Sequence, residues 1–227
     1  SDLNAVQNVD FINCTDYAIS IAGYNSSQIL TPPTPLIMYC TVTNSANGIS
    51  ATNLSQIIIR ENDITGSNKA IFLSNVSTPA VIGNDIVGIR QDIGILLESC
   101  NGVVRGNSIS NHTNAIHLGN SSPDIGGNII FHNLNRGIYI GTGSLPNMNG
   151  KLVPDPICCV WYAVSGYNRI YENGGWEPND DGSEIFVNNA NVIMGKYGCN
   201  EITDQRIPNE EETPPLYTTQ LLMNCSG

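Results

Sequence analysis

The hexapeptide Val81-Ile82-Gly83-Asn84-Asp85-Ile86 decides how the rest of the chain reads, because its pattern, apolar-x-x-Asn-x-Ile, returns elsewhere. It stands again at Ile59 to Ile64, Val104 to Ile109 and Ile125 to Ile130, and its asparagines Asn62, Asn84, Asn107 and Asn128 lie 22, 23 and 21 residues apart. A second phrase, a small residue followed by Ile, keeps step at Ile49, Ile71, Ile95, Ile116 and Ile138, with gaps of 22, 24, 21 and 22. Two landmarks holding one period mark an internal repeat.

Within each unit apolar residues alternate, as in Ile71-Phe72-Leu73, Ile95-Leu96-Leu97 and Ile138-Tyr139-Ile140, which is the period of a strand. Helical spacing is absent. A unit of roughly 22 residues made of short strands cannot bury its apolar side alone, so successive units must stack, each strand pairing with its copy one winding away. The predicted fold is an all-β parallel β-helix of nine or ten turns over residues 1–227, about 45 Å long at ~4.8 Å per turn. In such a coil the asparagines stand over one another, each amide donating to the next. That explains why 30 Asn outnumber the 29 charged residues although Asn is a poor helix and strand former.

The phrases Val81-Ile-Gly-Asn-Asp-Ile86, Val104-Arg-Gly-Asn-Ser-Ile109 and Gly94-Ile-Leu-Leu97 resemble the right-handed parallel β-helix repeat proteins, the pectate-lyase-like superfamily, over residues 9 to 225. The later words Gly166-Tyr-Asn-Arg-Ile170, Tyr197-Gly-Cys-Asn-Glu-Ile202 and Pro214-Pro-Leu-Tyr217 are similar to β-helical regions of large secreted bacterial surface proteins. The resemblance implies a secreted or cell-surface location, and a chain cut from something longer. It also implies that long glycans bind along a face of the coil. The hallmarks of the β-helical polygalacturonases, an Asp-Asp strand pair, Gly-His-Gly and Arg-Ile-Lys, are missing, and Asp180-Asp181 falls in an excursion.

Composition narrows the partners. Nine Lys plus Arg against 20 Asp plus Glu give a formal charge of -11 and a pI near 4.4, which repels nucleic acid and anionic lipid. The longest apolar run, Ile157 to Val164, is far short of the ~20 residues a membrane span needs. Departures from the period place loop excursions near 22–35, 141–158 and 173–183, the first two rich in proline. Cys40 takes the register position of Asn62, and Cys14 and Cys225 close strands; all three read as substitutes in the side-chain column. Disulfides between Cys14 and Cys40, or among Cys158, Cys159, Cys199 and Cys225, are geometrically open. Seven N-x-Ser/Thr sequons, at Asn13, Asn25, Asn53, Asn75, Asn111, Asn120 and Asn224, follow from a chain rich in Asn, Ser and Thr.

If Ile71 and Leu73 point inward, the residue between them points outward, and aligning the windings stacks Phe72, Leu96, His117, Tyr139 and Phe186 into one exterior stripe. Flat rings there can meet the apolar faces of sugars, or can lie under a loop, another domain or a second copy. Trp176, in the third excursion, adds a candidate contact. Asp180, Asp181 and Glu184 in the same excursion are candidate calcium ligands, though their spacing matches no EF-hand loop. Asp63 and Asp85 occupy equivalent outward positions, near Arg60 and Arg105, and are the candidate acid and base of an enzyme. His112, His117 and His132 fall in consecutive units, where imidazoles can hold a metal; solvated turn histidines are the plainer reading.

Three functions follow. The first is a non-catalytic surface module binding glycan or a surface partner through the stripe. The second is a polysaccharide lyase, hydrolase or epimerase working along the same face, and the third is a structural subunit whose open strand edges join end to end.

Overall fold

A computed structural model describes residues 4–23, 34–90, 93–149, 151–154, 161–165, 168–174, 183–191, 200–203 and 221–222. The chain coils as a parallel β-helix with three faces, in which each strand hydrogen-bonds to its equivalents one winding below and above. The first face carries the small-Ile phrase: Tyr17–Ala22, the opening half of Asn47–Arg60, the opening half of Lys69–Ile82, Ile93–Glu98, Asn114–Gly119, Arg136–Ile140 and Ser183–Val187. The second face holds Ala5–Gln7, Leu36–Met38, the closing halves of Asn47–Arg60 and Lys69–Ile82, Val103–Arg105 and Asp124–Gly126. Because those two 14-residue strands run through the corner unbroken, the two faces form one eleven-stranded sheet.

The third face is a separate sheet, Asp10–Ile12, Thr41–Thr43, Asp63–Thr65, Asp85–Val87, Ser108–Ser110, Ile129–Phe131, Arg169–Tyr171 and Glu201–Thr203. Its edge is closed by Leu221–Leu222, which pairs antiparallel to Glu201–Thr203. About five windings run regularly through all three faces, fewer than the nine or ten the sequence suggested. Dividing the whole length by the repeat counted the excursions as coil.

Register follows the sequence period. Ile49, Ile71, Ile95, Ile116, Ile138 and Ile185 are Cα partners in successive windings, as are Ile59, Val81, Val104 and Ile125 on the second face. Ile64, Ile86, Ile109, Ile130 and Ile170 do the same on the third. All but Ile185 are fully buried, so the core is a triangular column of aliphatic layers. A fully buried side chain of this kind contributes about 1.5–3 kcal/mol.

The corners share a pattern: one residue turns the chain through the left-handed region, and in most windings the next points inward, small or polar at most positions and Leu54 or Val76 at two. At the corner into the third face the turning residues are Asn8, Tyr39, Glu61, Gly83, Gly106 and Gly127. At the corner into the second face they are Asn53, Asn75, Ser99, Asn120 and Gly143. Glycine and asparagine enter this conformation at least cost. A turning Asn, an inward residue and an outward Ser or Thr spell N-x-Ser/Thr, so the described sequon asparagines Asn13, Asn53, Asn75, Asn111 and Asn120 all have positive φ. The sequons are corner grammar.

The second excursion folds into an antiparallel hairpin, Lys151–Pro154 with Trp161–Ser165, whose second strand lies against Val103–Arg105 and Asp124–Gly126 on the second face. It begins later than predicted, since Asn147 still bridges Asp124 in parallel and Met148 is buried in the core. Much of the first and third excursions lies outside the described residues.

Candidate functional site

The asparagine column at the corner into the third face fixes the geometry of everything outside it. Asn62, Asn84, Asn107, Asn128, Asn168 and Asn200 are buried, and each of the first five donates its backbone N–H and its Nδ2 to Oδ1 of the next, at 2.8–3.1 Å. Nδ2 also reaches a carbonyl one winding below, as from Asn84 to Ile59 at 3.1 Å. Cys40 does begin the column: its N–H donates to Asn62 Oδ1, and its thiol reaches the Met38 and Val6 carbonyls, which correspond to those Asn62 bonds at Arg60 and Ile37.

Two further columns went unread in the sequence. At the corner into the first face, His112 N–H donates to Asn133, Asn133 to Asn173, and Asn173 to the Glu184 carboxylate. At the corner into the second face, Cys100 N–H donates to Ser121 Oγ and Ser121 N–H to Ser144 Oγ. The equal 40-residue steps from Asn128 to Asn168 and from Asn133 to Asn173 were the signal for the first of these.

On this frame the outward residues of the first face form the expected column. Ser50, Phe72, Leu96, His117, Tyr139 and Phe186 are Cα partners in succession. Leu96 is only 8% exposed, while Phe72, His117, Tyr139 and Phe186 are half-buried. His117 and Tyr139 lie with ring centroids 4.4 Å apart, and Tyr139 and Phe186 stack at 5.4 Å and 16°. The Arg136 guanidinium sits 4.2 Å from the Phe186 centroid and 5.2 Å from that of Tyr139, and Asn188 donates to the Tyr139 hydroxyl at 2.8 Å. Burial holds the His117 imidazole below its usual range, so it is neutral at pH 7.

Stacking along the coil axis has a consequence for binding. Tyr139 and Phe186 use their facing surfaces on each other, so they offer edges outward rather than the open ring faces expected from the sequence. Polar columns flank them. On one side run Asn47, Lys69, Asn114 and Arg136, interrupted by Ile93; on the other run Thr52, Ser74 and Glu98, ending at Gly119.

The remaining candidates separate. Asp63 and Asp85 are exposed, in-register neighbours on the third face, with Thr65 donating to Asp63 Oδ1 at 3.3 Å. Arg60 and Arg105 end strands on the second face, across the corner from the two aspartates, and Arg60 pairs with Glu61. Bonds from Tyr39 and Arg60 hold the Glu61 carboxyl below the usual carboxylate range. Glu184 lies on the strand Ser183–Val187, its carboxylate taken by Asn173. Trp176, Asp180 and Asp181 lie outside the described residues.

The three histidines do not converge: His112 is inside the coil, His117 is on the first face, and His132 pairs with Glu172 at 2.5 Å on the corner. Among the described residues no group of three His, Cys, Asp or Glu is placed to hold a metal ion. Cys14, Cys40 and Cys100 are free thiols, so the pairing of Cys14 with Cys40 is not made. Cys158, Cys159, Cys199 and Cys225 are outside the described residues.

A second ring pair lies around the corner on the third face, where Phe131 and Tyr171 stack at 5.6 Å and 9° with Arg169 5.6 Å from the Tyr171 centroid. No helix in the described residues is long and apolar enough to cross a membrane.

Comparison with known proteins gives the fold a family. No curated protein and no solved structure matches the chain. A family model for a right handed beta helix region matches residues 1–153, about two thirds of the length and the part holding the regular windings, and the chain therefore belongs to the right-handed β-helix family.

Proposed function

We propose that this β-helix is a non-catalytic binding module of a secreted or cell-surface protein, and that it holds an extended glycan along its first face. The observation that carries this reading is the in-register outward column Phe72, Leu96, His117, Tyr139 and Phe186, flanked by hydroxyl, amide and cationic side chains that recur at ~4.8 Å. An extended polymer presents the matching pattern, with apolar C–H edges in the middle and hydroxyls on both sides. The ring edges and Leu96 meet the first, while Ser74, Asn114 and Arg136 reach the second.

The lyase or hydrolase alternative has Asp63 and Asp85 on its side, two carboxylates in adjacent windings. End-to-end assembly draws on the edge strands of the first winding.

A panel of soluble polysaccharides in affinity electrophoresis, run with the unmodified chain and with Tyr139→Ala, tests the reading. Retardation by at least one polymer that weakens tenfold or more in the variant supports it. No retardation by any polymer defeats it, and release of reducing ends or unsaturated products moves the chain to the enzyme class.

A further inference from the structure

The side-chain column at the corner into the first face has a missing rung. In every other described winding the second residue after the third-face strand turns inward there: Cys14, Ser45, Ser67, His112, Asn133 and Asn173. In the winding of Asp85–Val87 that residue is Ile89, and it stands 51% exposed to solvent. The left-handed turn falls instead on Arg90, whose N–H donates to the Asn111 carbonyl.

His112, from the winding above, fills the vacated interior. A Cβ on Gly88 would lie 2.6 Å from His112 Nδ1 and one on Gly94 3.2 Å from Cδ2, so the imidazole occupies room that only glycines leave. The ring is fully buried, and neither nitrogen has a hydrogen-bond partner. In the winding below the gap, the Ser67 hydroxyl is buried and unpartnered as well. A line of side-chain bonds that is continuous above His112 therefore stops at His112, and a titratable group sits at the break.

We propose that this joint is the acid-sensitive point of the coil, where protonation of His112 parts the windings below Gly88 from those above. Among the described residues, the charged groups on the segments packed against the ring all face outward: Asp85 and Arg90 in the winding below, and Glu98 on the strand that begins beside Gly94; Asp92 lies outside the described residues. Of the described groups, none lies where it would balance an imidazolium. Burial alone pushes the group down from 6.5 to about 4.

The sign follows from linkage. Between those two values the unfolded chain binds the proton and the folded chain refuses it, so stability is full above pH 6.5 and falls as the pH drops towards 4. The folded-to-unfolded ratio declines about tenfold per pH unit over that span, about 300-fold in all.

Chemical denaturation of the whole chain from pH 7.5 to 4, compared with His112→Asn, isolates this contribution from the carboxylates. Asparagine restores a neutral rung, so the variant is expected to lose most of the wild-type pH slope between pH 6.5 and 4. Hydrogen exchange of the wild type at pH 5 is expected to speed up first at residues 86–90 and 108–114. An unchanged slope in His112→Asn overturns the proposal. If that variant does not fold, the wild type decides: a His112 Cε1–H titration with a midpoint at or above 6.5, or exchange that opens first elsewhere, overturns it.

Discussion

Asn84 gives two hydrogen bonds to a single atom: its backbone N–H and its side-chain Nδ2 both reach Asn107 Oδ1 at 2.9 Å. Its own Oδ1 receives the same pair from Asn62 at 3.0 and 2.9 Å. Removing the amide strands donors on Asn62 and the Ile59 carbonyl acceptor in the dry interior, where each unsatisfied group costs about 1–3 kcal/mol. Asn84→Ala is therefore expected to lower unfolding free energy by about 3 kcal/mol or more in urea denaturation. Asn84→Ala with Asn107→Ala should cost less than the sum of the two singles, because one donor–acceptor pair is shared. A loss below 1 kcal/mol in the single variant would show that the column is decoration.

Two glycines four residues apart should answer alanine to very different degrees. At Gly102 a Cβ would lie 1.7 Å from the Pro79 carbonyl oxygen, which is backbone and cannot retreat. Gly102→Ala is expected to abolish the native fold, read as loss of the cooperative thermal transition. At Gly106 the nearest neighbour of a Cβ would be Gly83 N at 3.9 Å, so only the left-handed φ of +63° resists, at about 1–2 kcal/mol. Gly106→Ala should fold with a modestly lowered transition.

Cys100 behaves as a rung, since its thiol reaches the Leu73 and Glu98 carbonyls while Ser121, one winding on, reaches the corresponding Leu97 and Gly119 carbonyls with a hydroxyl. Cys100→Ser preserves both bonds and should change stability by less than about 1 kcal/mol. Burial raises the Cys100 thiol pKa, so at pH 8 a smaller fraction is thiolate than in an ordinary cysteine. Iodoacetamide labelling followed by mass spectrometry should mark half-buried Cys14 well before Cys40 or Cys100. Equal rates in the native protein would contradict the placement of the two buried thiols.

The coil was legible because Asn62, Asn84, Asn107 and Asn128 recur with the period of the isoleucines, and a repeat is a statement about space as much as about sequence. The outward column on the first face was legible for the same reason, through strand alternation. Ring orientation was not, because alternation says that Tyr139 and Phe186 leave the same face but not that they turn towards each other. Glu184 was misleading for another reason: it follows Asp180 and Asp181 in sequence, yet the strand starting at Ser183 carries its carboxylate to Asn173. The small-residue rungs Ser121 and Ser144 were hidden because serine is common at any turn.

The two ring pairs supply a control for the binding surface. Tyr139 with Phe186 on the first face and Phe131 with Tyr171 on the third are built alike, each stacked with centroids within 5.6 Å and each accompanied by an arginine. Truncating either pair removes similar stacking, about 0.5–1.5 kcal/mol beyond the lost area, so the double variants Tyr139→Ala/Phe186→Ala and Phe131→Ala/Tyr171→Ala should be destabilised to a similar degree. If the first face holds the glycan, only the former should lose polysaccharide retardation by tenfold or more, while the latter binds as the unmodified chain does. Equal losses in both would trace the effect to stability, and a loss confined to the Phe131 and Tyr171 variant would move the site around the corner to the third face.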